Sequence, residues 1–153
     1  MPNVGEVRVP CDKDFDELKN QIDDDDGWTL ALNKKNIQVY HKKSDKCSFL
    51  MFKVKAEFDD VPPNVLFDVL LDSEYSREWD ANMAEGYDFC YITPFSDIGY
   101  FQLKSPKPFK NRDFVTQRCW LDNGVGKDKI IYSHSVNHAV FFSNLNFVVC
   151  CTY

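Results

Sequence analysis

The chain is predicted to be an α+β protein built on a largely antiparallel sheet, and three observations carry that prediction. Leu50, Phe52, Val54, Ala56 and Phe58 alternate with Met51, Lys53, Lys55 and Glu57, the two-residue period of a half-buried strand. Val61, Val65, Leu66, Val69 and Leu70 form an apolar stripe at helical spacing. From about Tyr87 onward, short alternating runs are separated by turn signals, as in a strand meander. Strands, a helix and then a meander is the order of an α+β fold. A length of 153 residues favours one domain.

Each element follows in order. Residues 1–10 are polar and are expected to fray. Asp12 or Asp14 caps a short helix ending near Ile22, with Phe15, Leu18 and Ile22 on one face. Asp23-Asp-Asp-Asp-Gly27 breaks that helix, because adjacent like charges repel and Gly supplies a turn. A calcium loop fails in register: Gly27 at its sixth position puts Ile22 first and Asn33 last, where carboxylates are needed. Trp28–Ala31 and Ile37–His41 are predicted strands around the Asn33-Lys-Lys-Asn36 turn, and the strand beginning at Leu50 follows. Asp59-Asp-Val-Pro-Pro63 opens the central helix, with an acidic cap region and first-turn prolines, and the helix runs to about Ser73. A short segment then carries Tyr75 and Trp79. The meander comprises Tyr87–Thr93, Ile98–Lys104, Arg112–Leu121 and Lys129–Val136. A Pro-rich connection at Ser105–Lys110 and the hairpin signal Asn123-Gly-Val-Gly126 punctuate it.

Composition excludes several function classes. A net charge of −6 disfavours nucleic-acid binding, which needs a basic face. Local basic groups, Lys34, Lys35, Lys42, Lys43 and Lys46 and then Lys104, Lys107, Lys110 and Arg112, read as solvated strand rims or as a weak membrane-docking rim. Six cysteines show no CxxC pair, and Met1–Pro10 lacks the apolar core of a signal peptide, so a reduced, cytoplasmic setting is expected. No apolar run reaches the roughly 20 residues of a membrane span. There is no nucleophile elbow, P-loop or dinucleotide fingerprint. His134 and His138 share a strand face about 13 Å apart, too far to hold one metal ion. No catalytic residue, cofactor or metal is therefore assigned.

Two blocks are more specific: Leu71-Asp-Ser-Glu-Tyr-Ser-Arg-Glu-Trp-Asp80, and the run from Lys104-Ser-Pro-Lys-Pro-Phe-Lys through Asn111-Arg-Asp113 to Trp120. Together they resemble the StAR-related lipid transfer (START) domain, in its phosphatidylcholine-transfer-protein-like branch, over roughly residues 25–138. The resemblance implies a helix-grip fold: a curved antiparallel sheet, an N-terminal helix, a helix between the third and fourth strands, and a long C-terminal helix that closes over the lipid. It implies phospholipid binding and intermembrane transfer without bond-making chemistry. It also implies transient contact with a membrane surface.

The same resemblance suggests five lipid-binding residues. Arg77 and Asp80, three apart on a helical turn, are expected to pair, either as a surface salt bridge or as a charged pair facing the cavity, with Trp79 between them. Phosphatidylcholine-binding relatives carry an Arg four residues before that Asp. Ser76 stands there in this chain, and one helical step to Arg77 turns a side chain by about 100°. Phe101 and Phe114 match aromatic positions that hold choline by cation–π attraction, the alternative being plain core packing. Asn111-Arg112-Asp113 reads as a family marker with a structural role, in which Asn satisfies the turn and Arg–Asp locks the strand entry.

The chain is expected to divide into a region that resembles a partial START domain, residues 1–138, and an apolar, uncharged tail, residues 139–153, that does not continue the resemblance. The C-terminal strands and lid helix are expected to be missing. Several hundred Å² of uncovered apolar surface at about 25 cal/mol per Å² corresponds to on the order of 10 kcal/mol, so self-association through that surface is expected. The alternatives to lipid transfer are a truncated, non-transferring interaction module and a helix-grip hydrolase or cyclase.

Overall fold

The computed structural model describes residues 5–44 and 48–137, together with the backbone of 148–152. Helix α1 (Asp12–Asp23) opens the fold. Its N-cap is Cys11 rather than Asp12 or Asp14, and the Asp14 carboxylate reaches back to accept the Cys11 N–H at 2.9 Å. That reciprocal closure satisfies one of the orphan donors at a helix start. Phe15 and Leu18 are buried, with Ile22 beside them, as the spacing predicts.

The antiparallel layer is split into two sheets. Strands β1 (Thr29–Lys34), β2 (Ile37–Lys43) and β3 (Leu50–Ala56) form the first, in that order. Strands β4 (Met83–Thr93), β5 (Ser96–Leu103), β6 (Arg112–Asp122), β7 (Lys129–Ser135) and β8 (Val148–Thr152) form the second as a plain meander. Between the two sheets in chain order come α2 (Pro63–Leu71) and the single-turn α3 (Ser76–Trp79). The α+β class and the antiparallel pairing stand as read from the sequence. Of the tail, β8 pairs antiparallel with β7 from Ile130–Thr152 to His134–Val148; residues 138–147 and 153 lie outside the described residues.

Four sequence expectations need correction. The face of β3 carrying Leu50, Phe52 and Val54 is exposed, and Lys53 is the one buried residue of that strand. Alternation identifies two faces but not which one is covered. Here the covered face is the one whose lysine is neutralised: Lys53 Nζ donates to the Asp24 carbonyl at 2.7 Å and to Asp25 Oδ1 at 3.0 Å, and lies 4.7 Å from the centre of the Trp28 ring. The acidic run is thus tied to the first sheet by lysines, and Lys42 holds the Asp26 carbonyl. Helix α2 begins at Pro63 with Pro62 at its cap, so Asp59 and Asp60 do not cap it. Its buried residue is Phe67, outside the Val/Leu stripe, where Lys129 Nζ lies 5.1 Å from the ring centre. Finally, the start of the chain is engaged: Gly5 forms a parallel bridge with Val136.

Two small cores result. Phe15 and Leu18 of α1 pack on Cys119, Ile130 and Tyr132, while Ile98, Val115 and Val136 pack with Phe89 and Ile92. Each fully buried large side chain contributes about 1.5–3 kcal/mol. Helix α1 therefore covers the outer face of the second sheet, which leaves the opposite, inner face to build a site.

Candidate functional site

Register decides which side chains share the inner face. Asp97, Gly99, Phe101 and Leu103 on β5 stand opposite Arg118, Thr116, Phe114 and Arg112 on β6. Directly opposed residues of an antiparallel pair project from the same face. Phe101 and Phe114 stack with ring centres 4.7 Å apart and planes 13° from parallel. Phe114 is buried and Phe101 half-buried. The two aromatics singled out from the sequence are therefore brought together.

Next along this face lies a polar cluster that sequence reasoning missed. Arg118 Nε donates to Asp97 Oδ1 at 3.0 Å, Nη2 to Asp97 Oδ2 at 2.5 Å and to Asp88 Oδ2 at 2.8 Å, and Nη1 to the Leu71 carbonyl at 3.0 Å. Ser73 Oγ donates to Asp88 Oδ1 at 2.7 Å. The cluster ties the C-terminal end of α2 to three strands. Burial works against the Arg118 charge, but the bonds to Asp97 and Asp88 overcome it and raise its pKa. Burial pushes the Asp97 carboxyl up, with Arg118 pulling the other way. Backbone shape admits the cluster: a Cβ at Gly99 would lie 2.7 Å from Asp88 Oδ1, and one at Gly86 would lie 3.3 Å from the Ser73 carbonyl. The sequence signal was available, since Asp97 is the one charge of β5 and Arg118 the one charge inside β6, whose others lie at its ends.

Arg77 and Asp80 do not pair. Arg77 is exposed on α3, and Asp80 Oδ1 accepts the Asn82 N–H at 2.8 Å. The physical reason is length: α3 is a single turn, and Asp80 is already its extended C-cap residue. Trp79 is 49% exposed beside them. Asn111-Arg112-Asp113 does close the Pro-rich turn, but through Gln102 rather than an Arg–Asp lock. Asn111 Nδ2 donates to Gln102 Oε1 at 2.9 Å, and Gln102 Nε2 donates to Asp113 Oδ1 at 2.8 Å.

The loop after α1 sits on the Lys53 face of the first sheet, through the bonds of Lys53 to Asp24 and Asp25, and leaves the opposite face apolar. Opposed pairs place Phe52 with His41, and Val54 with Val39 and Leu32, on that face. Phe52 is 65% and Val54 61% exposed. A groove of about 850 Å³ runs between α1 and β3, lined by Leu18, Ile22, Trp28, Phe52, Val54 and Phe58 among others. Arg77, Trp79, Asp80, Phe101 and Phe114 do not line it. Among the described residues, no group of three or more His, Cys, Asp or Glu could hold a metal ion, and no helix is long and apolar enough to cross a membrane.

Comparison with known proteins adds three findings. The START domain family model matches residues 12–153. START domain-containing protein 10 of Homo sapiens is 38% identical over 133 residues, 86% of this chain and 45% of that protein. Phosphatidylcholine transfer protein of Homo sapiens is 30% identical over 112 residues, 72% of this chain and 51% of that protein. The chain thus spans about half the length of the curated relatives it matches. The crystal structure of human STARD10 superposes with a TM-score of 0.82 at 35% identity, covering 90% of this chain and 56% of that one.

Proposed function

The chain belongs to the START domain family, and on that premise we propose that it forms the phospholipid-contacting part of a lipid-transfer domain that makes and breaks no covalent bond. In this reading the acyl chains lie along Leu50, Phe52 and Val54, and the head group sits towards the stacked pair Phe101 and Phe114. A choline group over such a ring gains about 0.5–2 kcal/mol. Arg77, Trp79 and Asp80 form the rim by which the head group enters. The protein acts in the cytoplasm and touches a membrane only to load and unload. Among the described cysteines, Cys11, Cys90 and Cys119 are free, which suits a reducing compartment.

The observation that carries the proposal is the exposed apolar face of β3, since a water-facing Phe52 and Val54 on a regular strand need an apolar guest or cover. Purified chain, denatured and examined by mass spectrometry, is expected to release phospholipid and to bind fluorescent phosphatidylcholine. A folded chain that carries none and binds none refutes transfer. That outcome supports the second reading, a non-transferring interaction module.

A further inference from the structure

Two polar side chains at the centre of the second sheet are fully buried: Gln117 is 0% and His134 1% exposed. They stand opposite each other on β6 and β7. Both point outward, to the face that α1 covers, and both are spent on one short segment. Gln117 Nε2 donates to the Arg8 carbonyl at 2.8 Å, and Gln117 Oε1 accepts the Arg8 N–H at 3.1 Å. The amide thereby binds Arg8 as a neighbouring strand's backbone would. His134 Nε2 lies 2.9 Å from the Glu6 carbonyl. The Gly5 N–H donates to the Ser135 carbonyl at 2.9 Å, and the Asn137 N–H to the Gly5 carbonyl at 3.1 Å. Arg8 then clasps Asp14 of α1 through both guanidinium ends, at 2.7 and 2.9 Å.

We propose that Gly5–Pro10 is a strap over the outer face of the second sheet, and that protonation of His134 releases it. A carbonyl partner requires Nε2 to be the donor, so the neutral ring carries its lone pair on Nδ1. That Nδ1 is buried and has no hydrogen-bond partner. A second proton there would place a charged N–H where nothing accepts it. The charged and titratable groups around the ring do not compensate. Glu6 and Arg8 come from the strap and oppose each other, Asp14 of α1 is already clasped by Arg8, and Tyr132 of β7 presents a stacked ring with its centre 5.3 Å away. Burial accordingly lowers the His134 pKa. Once the strap lifts, the ring meets water and takes the proton freely. The open form is therefore favoured as pH falls below the ordinary histidine value.

What the strap uncovers is specific. Beneath it, Gln117 Nε2 also donates to Ser96 Oγ at 3.0 Å, and Ser96 Oγ lies 3.1 Å from Cys119 Sγ. Lifting the strap frees the Gln117 end of this network, while Phe15 and Leu18 of α1 still cover the Cys119 thiol.

Hydrogen exchange of the whole chain tests the proposal, read at the Arg8 amide and corrected for intrinsic rate. With an open-state histidine near about 6.5, protection is expected to fall about tenfold from pH 7.5 to 5.5. The Val115 and Ile131 amides at the sheet centre are expected to hold. His134→Gln keeps a donor for Glu6 but has no proton to gain, so its Arg8 protection is expected to stay flat. In the wild type, labelling of Cys119 by a disulfide reagent is expected to stay slow over the same pH range, because α1 still covers it. Unchanged Arg8 protection, an equal fall in His134→Gln, or a parallel fall at Val115 and Ile131 overturns the proposal. If His134→Gln does not fold, the wild-type Arg8, Val115 and Cys119 readings decide alone.

Discussion

Arg118 sits between two carboxylates, and removing it does more than delete hydrogen bonds. Asp97 is 2% exposed and depends on that guanidinium for its charge. In Arg118→Met the carboxylate is left buried and unpaired, which typically costs about 3–5 kcal/mol. The pH dependence follows from the direction of the Asp97 shift. Burial already pushes this carboxyl up, and losing its cation pushes it further. A folded-state carboxyl pKa above the unfolded value means that the folded chain binds the extra proton, so stability rises as pH falls through that range. Urea unfolding of Arg118→Met is therefore expected to show the full loss at pH 7 and partial recovery at pH 5. Arg118→Met combined with Asp97→Asn is expected to lose less than the single variant at pH 7. A loss independent of pH would show that the bonds to Asp88 and Leu71, not the Asp97 charge, are what Arg118 supplies.

At the scale of elements, β3 and β6 both alternate cleanly in sequence, yet their aromatics live in opposite surroundings. Phe52 on β3 is mostly in water, and Phe114 on β6 is 7% exposed against its stacked partner. Phe114→Ala is expected to cost about 3–5 kcal/mol, as for a core Phe. Phe52→Ser is expected to change stability by no more than about 0.5 kcal/mol. Urea titrations of the two variants test the contrast, and equal losses would mean that Phe52 is covered in solution. The same contrast shows what was legible in the chain. Alternation and turn signals located β1 to β7, because backbone pleating is local, but not β8. Which face is covered depends on distant partners, so the Lys53 face, held by Asp24 and Asp25, was not legible. Phe67 escaped for the same reason, since its cover comes from Lys129. Phe101 and Phe114 were found through the motif around Asn111-Arg112-Asp113, and their stacking follows from register. Arg77 and Asp80 were paired on helical spacing, which a single-turn α3 is too short to sustain. Gln117 was not singled out, and His134 was weighed only as a metal ligand with His138, because their partners at Arg8 and Glu6 lie far off in the chain.

For the molecule as a whole, the first sheet sets the solution behaviour. Its three strands contain five lysines and no acidic residue, within a chain of net charge −6. On its Phe52 face, however, Leu32, Ile37, Leu50, Phe52 and Val54 all stand at 40% exposure or more. Charge repulsion between copies is screened over about 8–10 Å at ordinary ionic strength, whereas apolar contact gains about 25 cal/mol for each Å² covered. In the absence of lipid the apolar term wins at short range. Light scattering of delipidated chain is therefore expected to show mass rising with concentration, alongside strong binding of a hydrophobic dye. Phe52→Lys with Val54→Lys is expected to give a monomer and to weaken dye binding, because two lysines there cost little where water already reaches. Added phospholipid is expected to act on the wild type in the same direction, since a guest on that face removes the surface that copies would share. A delipidated wild-type chain that stays monomeric, ignores the dye and melts sharply above about 60 °C would mean that the face is closed by the chain itself, and the lipid reading would lose its physical ground along with the self-association.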